Sequence, residues 1–368
     1  MKNDRRSRIK EEADRLANSF MLIGALPVET DSLLPADILL DLYGEDIRAR
    51  AFVTSDPRLG EQMLRPDFTV PIVKRHMAEG AEPARYTYSG TVWRKQIGGR
   101  SIEFTQVGYE LFDRTDPAAA DAEVFSVFSG MLSSYELKVS TGDMSILLAA
   151  VNGLQTTNRR RAALRRHIWR PTRFVKLLER YGGVSQVPEE RQELLENVGG
   201  VGVEAVLAKA GAHQGLRSKE EILARIVALE EDAAVELISC EELAMVEAVL
   251  ALNGSSADVL VKLRDMAATF PSLQVPADAM EDRLQALAAR RVNVDDLPFS
   301  VSFGRTNMEY YDGFVFGFTV DNRTDLPVVA SGGRYDALTQ VLGQGRSIAA
   351  VGGVIRPEVL VDLQEGIV

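Results

Sequence analysis

Residues 104–110 read Phe104-Thr105-Gln106-Val107-Gly108-Tyr109-Glu110. Side chains alternate along a strand, so Gln106, Gly108 and Glu110 share one face and Thr105, Val107 and Tyr109 share the other. An amide, a glycine and a carboxylate make an odd core and an odd solvent face. The glycine leaves room beside two polar groups, as the floor of a small-ligand pocket does; an edge strand with a polar outer face is the plainer alternative. Upstream, Thr91-Val92-Trp93-Arg94-Lys95 reads as a partner strand, and Gly98-Gly99 supplies the turn of a hairpin. Arg94 carries a planar fork suited to a carboxylate or a phosphate, with a surface salt bridge as the ordinary alternative.

Further out, Ile9, Leu16 and Phe20 fall at helical spacing among charges, which predicts an opening amphipathic helix. Ile38-Leu39-Leu40 and Ala51-Phe52-Val53 read as strands. In Leu64-Arg65-Pro66-Asp67-Phe68-Thr69-Val70-Pro71, Thr69 is the expected N-cap and Pro71 the first turn of a helix closed by Gly80. Residues 156–290 read almost wholly as helix, with Ile222, Ile226 and Leu229, then Leu260, Leu263 and Met266, as apolar stripes and Gly199-Gly200-Val201-Gly202 as a break. Strands return at Phe314, Phe316 and Phe318, on one face, and at Val328-Val329-Ala330. The expected fold class is α+β: an antiparallel sheet flanked by helices, with residues 1–155 and 291–368 as one core domain and 156–290 as a helical insertion.

The chain has 368 residues, one cysteine (Cys240) and three separated histidines, His76, His167 and His213. This excludes a disulfide framework within the chain and a cysteine-rich zinc site, and no metal or cofactor is expected. The 42 Lys+Arg against 53 Asp+Glu give a net charge of −11, which argues against broad nucleic-acid binding. No stretch approaches the roughly eighteen unbroken apolar residues of a membrane helix, and the charged start lacks a signal-peptide core, so a cytoplasmic protein without membrane association is expected.

Among the remaining segments, Tyr310-Tyr311-Asp312-Gly313 places one tyrosine to pack and one to offer its hydroxyl, unless both simply pack. Ser331-Gly332-Gly333-Arg334-Tyr335-Asp336 reads as a strand-to-helix turn whose amides approach a ligand. Residues 159–180 hold nine Lys+Arg with Glu179 as their only acid. That run suits RNA, phosphate or an acidic surface, but a solvated helix face is the commoner explanation. G-x-S-x-G and H-E-x-x-H are both absent, so no hydrolytic centre is expected and no catalytic residue is assigned.

Taken in order, these pieces resemble the histidyl-tRNA synthetases. Leu64 to Thr69 is similar to their L-R-P-E-x-T segment. Gly90 to Arg94 with Phe104 to Glu110 resembles the class II motif 2 hairpin. Glu309-Tyr310-Tyr311-Asp312-Gly313 and Ser331 to Asp336 resemble D-Y-Y-x-G and A-G-G-R-Y-D, and Pro35 resembles the motif 1 proline of a homodimer interface. The resemblance implies that Asp67 and Glu110 hold an α-ammonium, that Arg94 meets a carboxylate, that Thr69 and Gln106 add hydrogen bonds, and that Tyr310 and Tyr311 border an imidazole. Asp67 is one methylene shorter than the family's glutamate. Three departures bear on activity. Thr306 stands where the family has an adenylate-forming arginine, with Arg305 one residue off. Lys95-Gln96 stands where a carboxylate follows the motif 2 arginine. Arg356-Pro357-Glu358-Val359 stands for G-L-E-R, leaving Val359 at the arginine position. Lost cations at a phosphate-stabilising site cost several kcal/mol of barrier. With the chain ending at Val368, no anticodon-binding domain is expected. A synthetase-like body of this kind resembles the regulatory subunits of short-form ATP phosphoribosyltransferase. That likeness implies a separate catalytic chain as partner, histidine as effector and no tRNA; a compact histidyl-tRNA synthetase and an RNA-binding module are the alternatives.

Overall fold

A computed structural model describes residues 2–36, 49–96, 100–210, 215–305, 310–323 and 325–366. The Ile38–Leu40 strand, the Gly98-Gly99 turn, His213, Thr306 and Glu309 lie outside the described residues. The strands are β1 (Leu26–Pro27), β2 (Leu33–Pro35), β3 (Val53–Asp56), β4 (Gly60–Leu64), β5 (Ala84–Trp93), β6 (Glu103–Phe112), β7 (Leu137–Asp143), β8 (Asn253–Ser255), β9 (Pro298–Ser300), β10 (Phe314–Val320), β11 (Ala330–Arg334) and β12 (Ala350–Ile355).

The chain divides into two compact units, Met1–Ala150 with Ala248–Val368, and Val151–Glu247. The first contains a nine-stranded sheet in the order β1-β5-β6-β12-β11-β10-β7-β9-β8, and a small sheet β2-β4-β3. The large sheet is antiparallel through its centre, as expected, but β1 pairs with β5 and β7 with β9 in parallel. Pro35 closes β2, and Ala51 and Phe52 precede β3 rather than belonging to it.

One face of this sheet is covered by the helices Lys2–Leu22 and Pro117–Leu132. Leu16 and Phe20 are fully buried, and the Phe20 ring stacks on Tyr109 with centroids 5.4 Å apart. The expected Phe314-Phe316-Phe318 face packs against Phe125 of the second helix, with centroids 6.1, 5.7 and 5.9 Å away. These aromatic contacts explain why the helix lies on that face: each ring removes a large apolar area from water.

The helical stretch expected over 156–290 is shared between the units. The helices Ser256–Thr269 and Gln274–Ala289 belong to the first. Arg283 of the latter is 4% exposed and donates to Asp143 of β7 at 2.7 Å and Asp121 at 3.4 Å. Arg334 of β11 donates to the same Asp121 at 2.7 Å. A buried network of two arginines and two aspartates thus fastens two helices to two strands.

In the second unit, Leu164, Phe174 and Leu178 form apolar stripes of the helices Asn158–Arg166 and Pro171–Tyr181. Arg160 from the basic run is 4% exposed, donating to the Asp232 carboxylate at 2.7 Å and to the Glu236 carbonyl at 2.8 Å. This part of the run is internal structure, while Arg165, Arg166, Arg173 and Lys176 are exposed. The helix Glu189–Val201 continues through Gly199-Gly200 and stops only at Gly202, whose φ of 82° ends it. No helix among the described residues is long and apolar enough to cross a membrane.

Candidate functional site

The opposite side of the hairpin, itself buried, carries the polar face read from residues 104–110. Glu110 faces away from Tyr109 and lies over β12, where it is paired with Gly352. A Cβ on Gly352 would sit 1.5 Å from Glu110 Oε2, so only glycine admits the carboxylate here. Gly108 is likewise paired with Tyr88 of β5, and a Cβ there would meet the Tyr88 ring at 2.1 Å. The space expected for a ligand beside Gly108 is therefore filled by Tyr88.

Glu110 is 1% exposed. It accepts hydrogen bonds from Thr69 at 2.8 Å, Tyr335 at 2.6 Å and Tyr88 at 3.3 Å. All three donors are neutral hydroxyls. Burial raises its pKa from 4.5 to about 7, with those hydroxyls opposing the rise and Asp67 adding to it. Tyr88, Tyr310 and Tyr335 are pushed well above the ordinary phenol value by burial, and so remain donors.

Thr69 is not the N-cap of its helix. Phe68 holds that place without a side-chain cap bond, in a helix Thr69–Glu79 that does end at Gly80. Its hydroxyl is spent on Glu110 instead. Asp67, in the turn before the helix, accepts from Val70 N at 3.4 Å and from the Tyr310 hydroxyl at 3.4 Å. The Tyr310 and Tyr311 rings meet edge to face at 4.9 Å, and both are buried.

Asp67, Thr69, Arg94, Gln106, Tyr310 and Tyr311 line one cavity of about 320 Å³. Glu110 lies just behind it, joined through Thr69. This volume is at the small end of the range for ligand pockets, roughly 300–1,000 Å³. Gln106 is 2% exposed and its Oε1 has no hydrogen-bond partner among the described residues. A buried acceptor left unpaired costs about 1–3 kcal/mol, which a ligand N–H would recover. The cavity therefore combines the Asp67 carboxylate, with Glu110 behind it, and the orphan Gln106 carbonyl with arginines that include Arg94. That polarity matches a zwitterion with an ammonium and a carboxylate.

The Ser331–Asp336 segment is placed differently from the expectation. Ala330–Arg334 is a strand throughout, and the helix starts at Asp336. Gly332 and Gly333 are opposite Gly353 and Gly352 in the ladder. A Cβ on Gly333 would come within 2.8 Å of the Tyr311 ring, and of these four glycines Gly353 lines the cavity with bare main chain. Val328 and Val329 precede the strand, and Val328 lines the cavity. Sequence reading missed Tyr88 and Tyr335, the two phenols on Glu110, and the rim residues Arg50, Arg100 and Arg356. Tyr335 stands within a quoted segment, but nothing local marks its partner 225 positions away.

This sheet and this pocket define a class II synthetase-like protein. The family profile described as histidyl-tRNA synthetase matches residues 2–237 and 203–360. Among solved structures, an ATP phosphoribosyltransferase regulatory subunit/histidyl-tRNA synthetase from Bacillus halodurans matches with TM-score 0.66 and 21% identity, over 97% of this chain and 79% of that one. A histidine–tRNA ligase subunit from Alicyclobacillus acidocaldarius matches at TM-score 0.59 and 19% identity, over 98% and 93%. These two establish the fold. Curated proteins from Brucella canis and Brucella abortus (strain 2308), each called ATP phosphoribosyltransferase regulatory subunit, are 32% identical over 340 residues, 88% of this chain and 89% of theirs. The chain belongs to the ATP phosphoribosyltransferase regulatory subunit family, a branch of the histidyl-tRNA synthetase fold.

Proposed function

We propose that the chain is the non-catalytic subunit of a short-form ATP phosphoribosyltransferase. A separate catalytic chain joins ATP to phosphoribosyl pyrophosphate, the first step of histidine biosynthesis, and this subunit activates it and conveys inhibition by histidine. The observation that carries the reading is the 32% identity to regulatory subunits over 88% of the chain. The chemistry agrees. Val359, at the place of the nucleotide-contacting arginine, is 5% exposed and packs with Leu360 and Val361 as core. Glu358 beside it takes the Thr105 N–H at 2.5 Å. An apolar residue at that position supplies no charge to an adenylate transition state.

The cavity of Asp67, Thr69, Arg94, Gln106, Tyr310 and Tyr311, backed by Glu110, is the histidine site in this reading. A homodimer forms through the region of Pro35, and tRNA is not a partner. The test is a transferase assay of the catalytic chain with and without this one. A large gain in rate, together with no histidine-dependent ATP–pyrophosphate exchange by this chain alone, upholds the proposal. Absence of both association and rate change overturns it. Glu110→Ala tests the effector site: histidine inhibition of the complex should be lost, and unchanged inhibition would move the site elsewhere.

A further inference from the structure

Asp312 follows directly on Tyr311 and fills the open position of the D-Y-Y-x-G pattern, so the likeness to the synthetases gives it no role. Its two carboxylate oxygens are used separately. Oδ1 accepts the amide of Asp336 at 3.0 Å and Oδ2 the amide of Ala337 at 2.7 Å. These are the first two amides of the helix Asp336–Leu342, whose own N-cap residue, Tyr335, makes no side-chain cap bond. The helix is thus capped from 24 and 25 positions away, by the segment that leads into β10. The main chain repeats the link, with Asp312 N donating to the Arg334 carbonyl at 3.0 Å. An acid is an unusual choice here, because serine or threonine at the N-cap satisfies such amides without charge. Burial and then the neighbouring Asp336 raise the Asp312 pKa to about 7. What the carboxylate adds is a second acceptor oxygen, so that both amides are held at once.

The two sides of this clasp both reach the cavity. On the Asp312 side, Tyr310 and Tyr311 form part of its wall. On the helix side, the Tyr335 hydroxyl donates to Glu110 at 2.6 Å. The Tyr310 and Tyr335 rings also meet edge to face, with centroids 6.1 Å apart. Just past the helix, Arg346 donates to the carbonyl of Met77. Met77 belongs to the helix Thr69–Glu79, whose first residue supplies another hydroxyl to Glu110. We propose that Asp312 is a positioning residue of the cavity: by holding the helix Asp336–Leu342 with both oxygens it sets the Tyr310–Tyr311 wall and the Tyr335 hydroxyl as one piece, so that a ligand against the wall is felt at the helix. The regulatory part of this inference rests on the reading of the cavity as the histidine site.

The test compares Asp312→Asn, which keeps the shape and one acceptor, and Asp312→Ala, which keeps neither, with Ala337→Gly in the full chain. The glycine retains the amide that Asp312 holds and weakens only the helix. Without ligand, the tyrosine band of the near-ultraviolet circular dichroism should shrink in Asp312→Ala, and less in Asp312→Asn, but stay unchanged in Ala337→Gly. Calorimetry with histidine should show affinity at least about fivefold weaker for Asp312→Asn and weaker still for Asp312→Ala, with Ala337→Gly at the parent value although its Tm falls. Histidine should slow amide exchange across residues 336–342 in the parent and leave it unchanged in Asp312→Ala. A parent that binds no histidine would sink the histidine reading alone, because the ligand-free tyrosine band still decides the clasp. Asp312 variants that melt lower yet keep the parent's tyrosine band and histidine affinity would overturn the proposal, since the residue would then only cap a helix. So would an Ala337→Gly that matches them in both, or a histidine-bound parent whose helix exchanges as before.

Discussion

Glu110 is the residue on which the cavity turns. Its pKa is raised on folding from 4.5 to about 7, so the fold prefers the protonated acid. That contribution to stability is fully present below pH 4.5 and is lost as pH rises through about 7. A bound ammonium reverses the preference by favouring the carboxylate. Histidine affinity should therefore rise between pH 6 and pH 8, with uptake of the ligand expelling a proton. Calorimetry in buffers of different ionisation heat measures that proton, and a pH-independent affinity would contradict the assignment. Glu110→Gln should bind histidine poorly yet be at least as stable as the parent at pH 8, since no buried charge is then required. The facing of Gln106 and Glu110 was legible because alternation alone decides it. Thr69 was not: capping is a local rule, and its hydroxyl was claimed by a carboxylate 41 positions on. Nothing in a linear reading signals such a partner.

Among the elements, the hairpin, the first helix and the phenylalanine strand were readable because each is dictated by its own periodicity. The glycine-rich segment at 331–333 was misread as a turn. Paired glycines usually mean a change of direction. Here they mean that two neighbouring strands both do without side chains, and that is visible only when β11 is laid against β12. The arrangement makes a sharp prediction. Gly352→Ala would set a methyl 1.5 Å from Glu110 Oε2, so the carboxylate must leave its hydroxyl cage. Overpacking of this kind costs about 1–3 kcal/mol, and histidine binding should be lost with it. Denaturant unfolding and calorimetry check the two effects. An alanine that left both untouched would show that Glu110 has other room.

For the molecule as a whole, the helical texture of 156–290 hid a division. The helices after residue 255 belong with the sheet because Arg283 joins Asp121 and Asp143, 162 and 140 positions away. Amphipathic stripes reveal that a helix buries a face but not what it buries it against. Arg283→Ala leaves two buried carboxylates short of a partner and should cost about 3–5 kcal/mol, read from chemical denaturation. A loss below about 1 kcal/mol would mean that the network is incidental. The second unit, lacking this residue, should be unaffected in its own hydrogen-exchange protection. One consequence reaches beyond any single variant. Where a stretch of cavity wall is bare peptide, as at Gly353, heredity has few handles on it: lineages can abolish the site in one step, but to adopt a bulkier or slimmer guest they must rebuild the wall at Tyr310 and Tyr311. Divergence among such proteins should accordingly show silenced pockets far more often than converted ones.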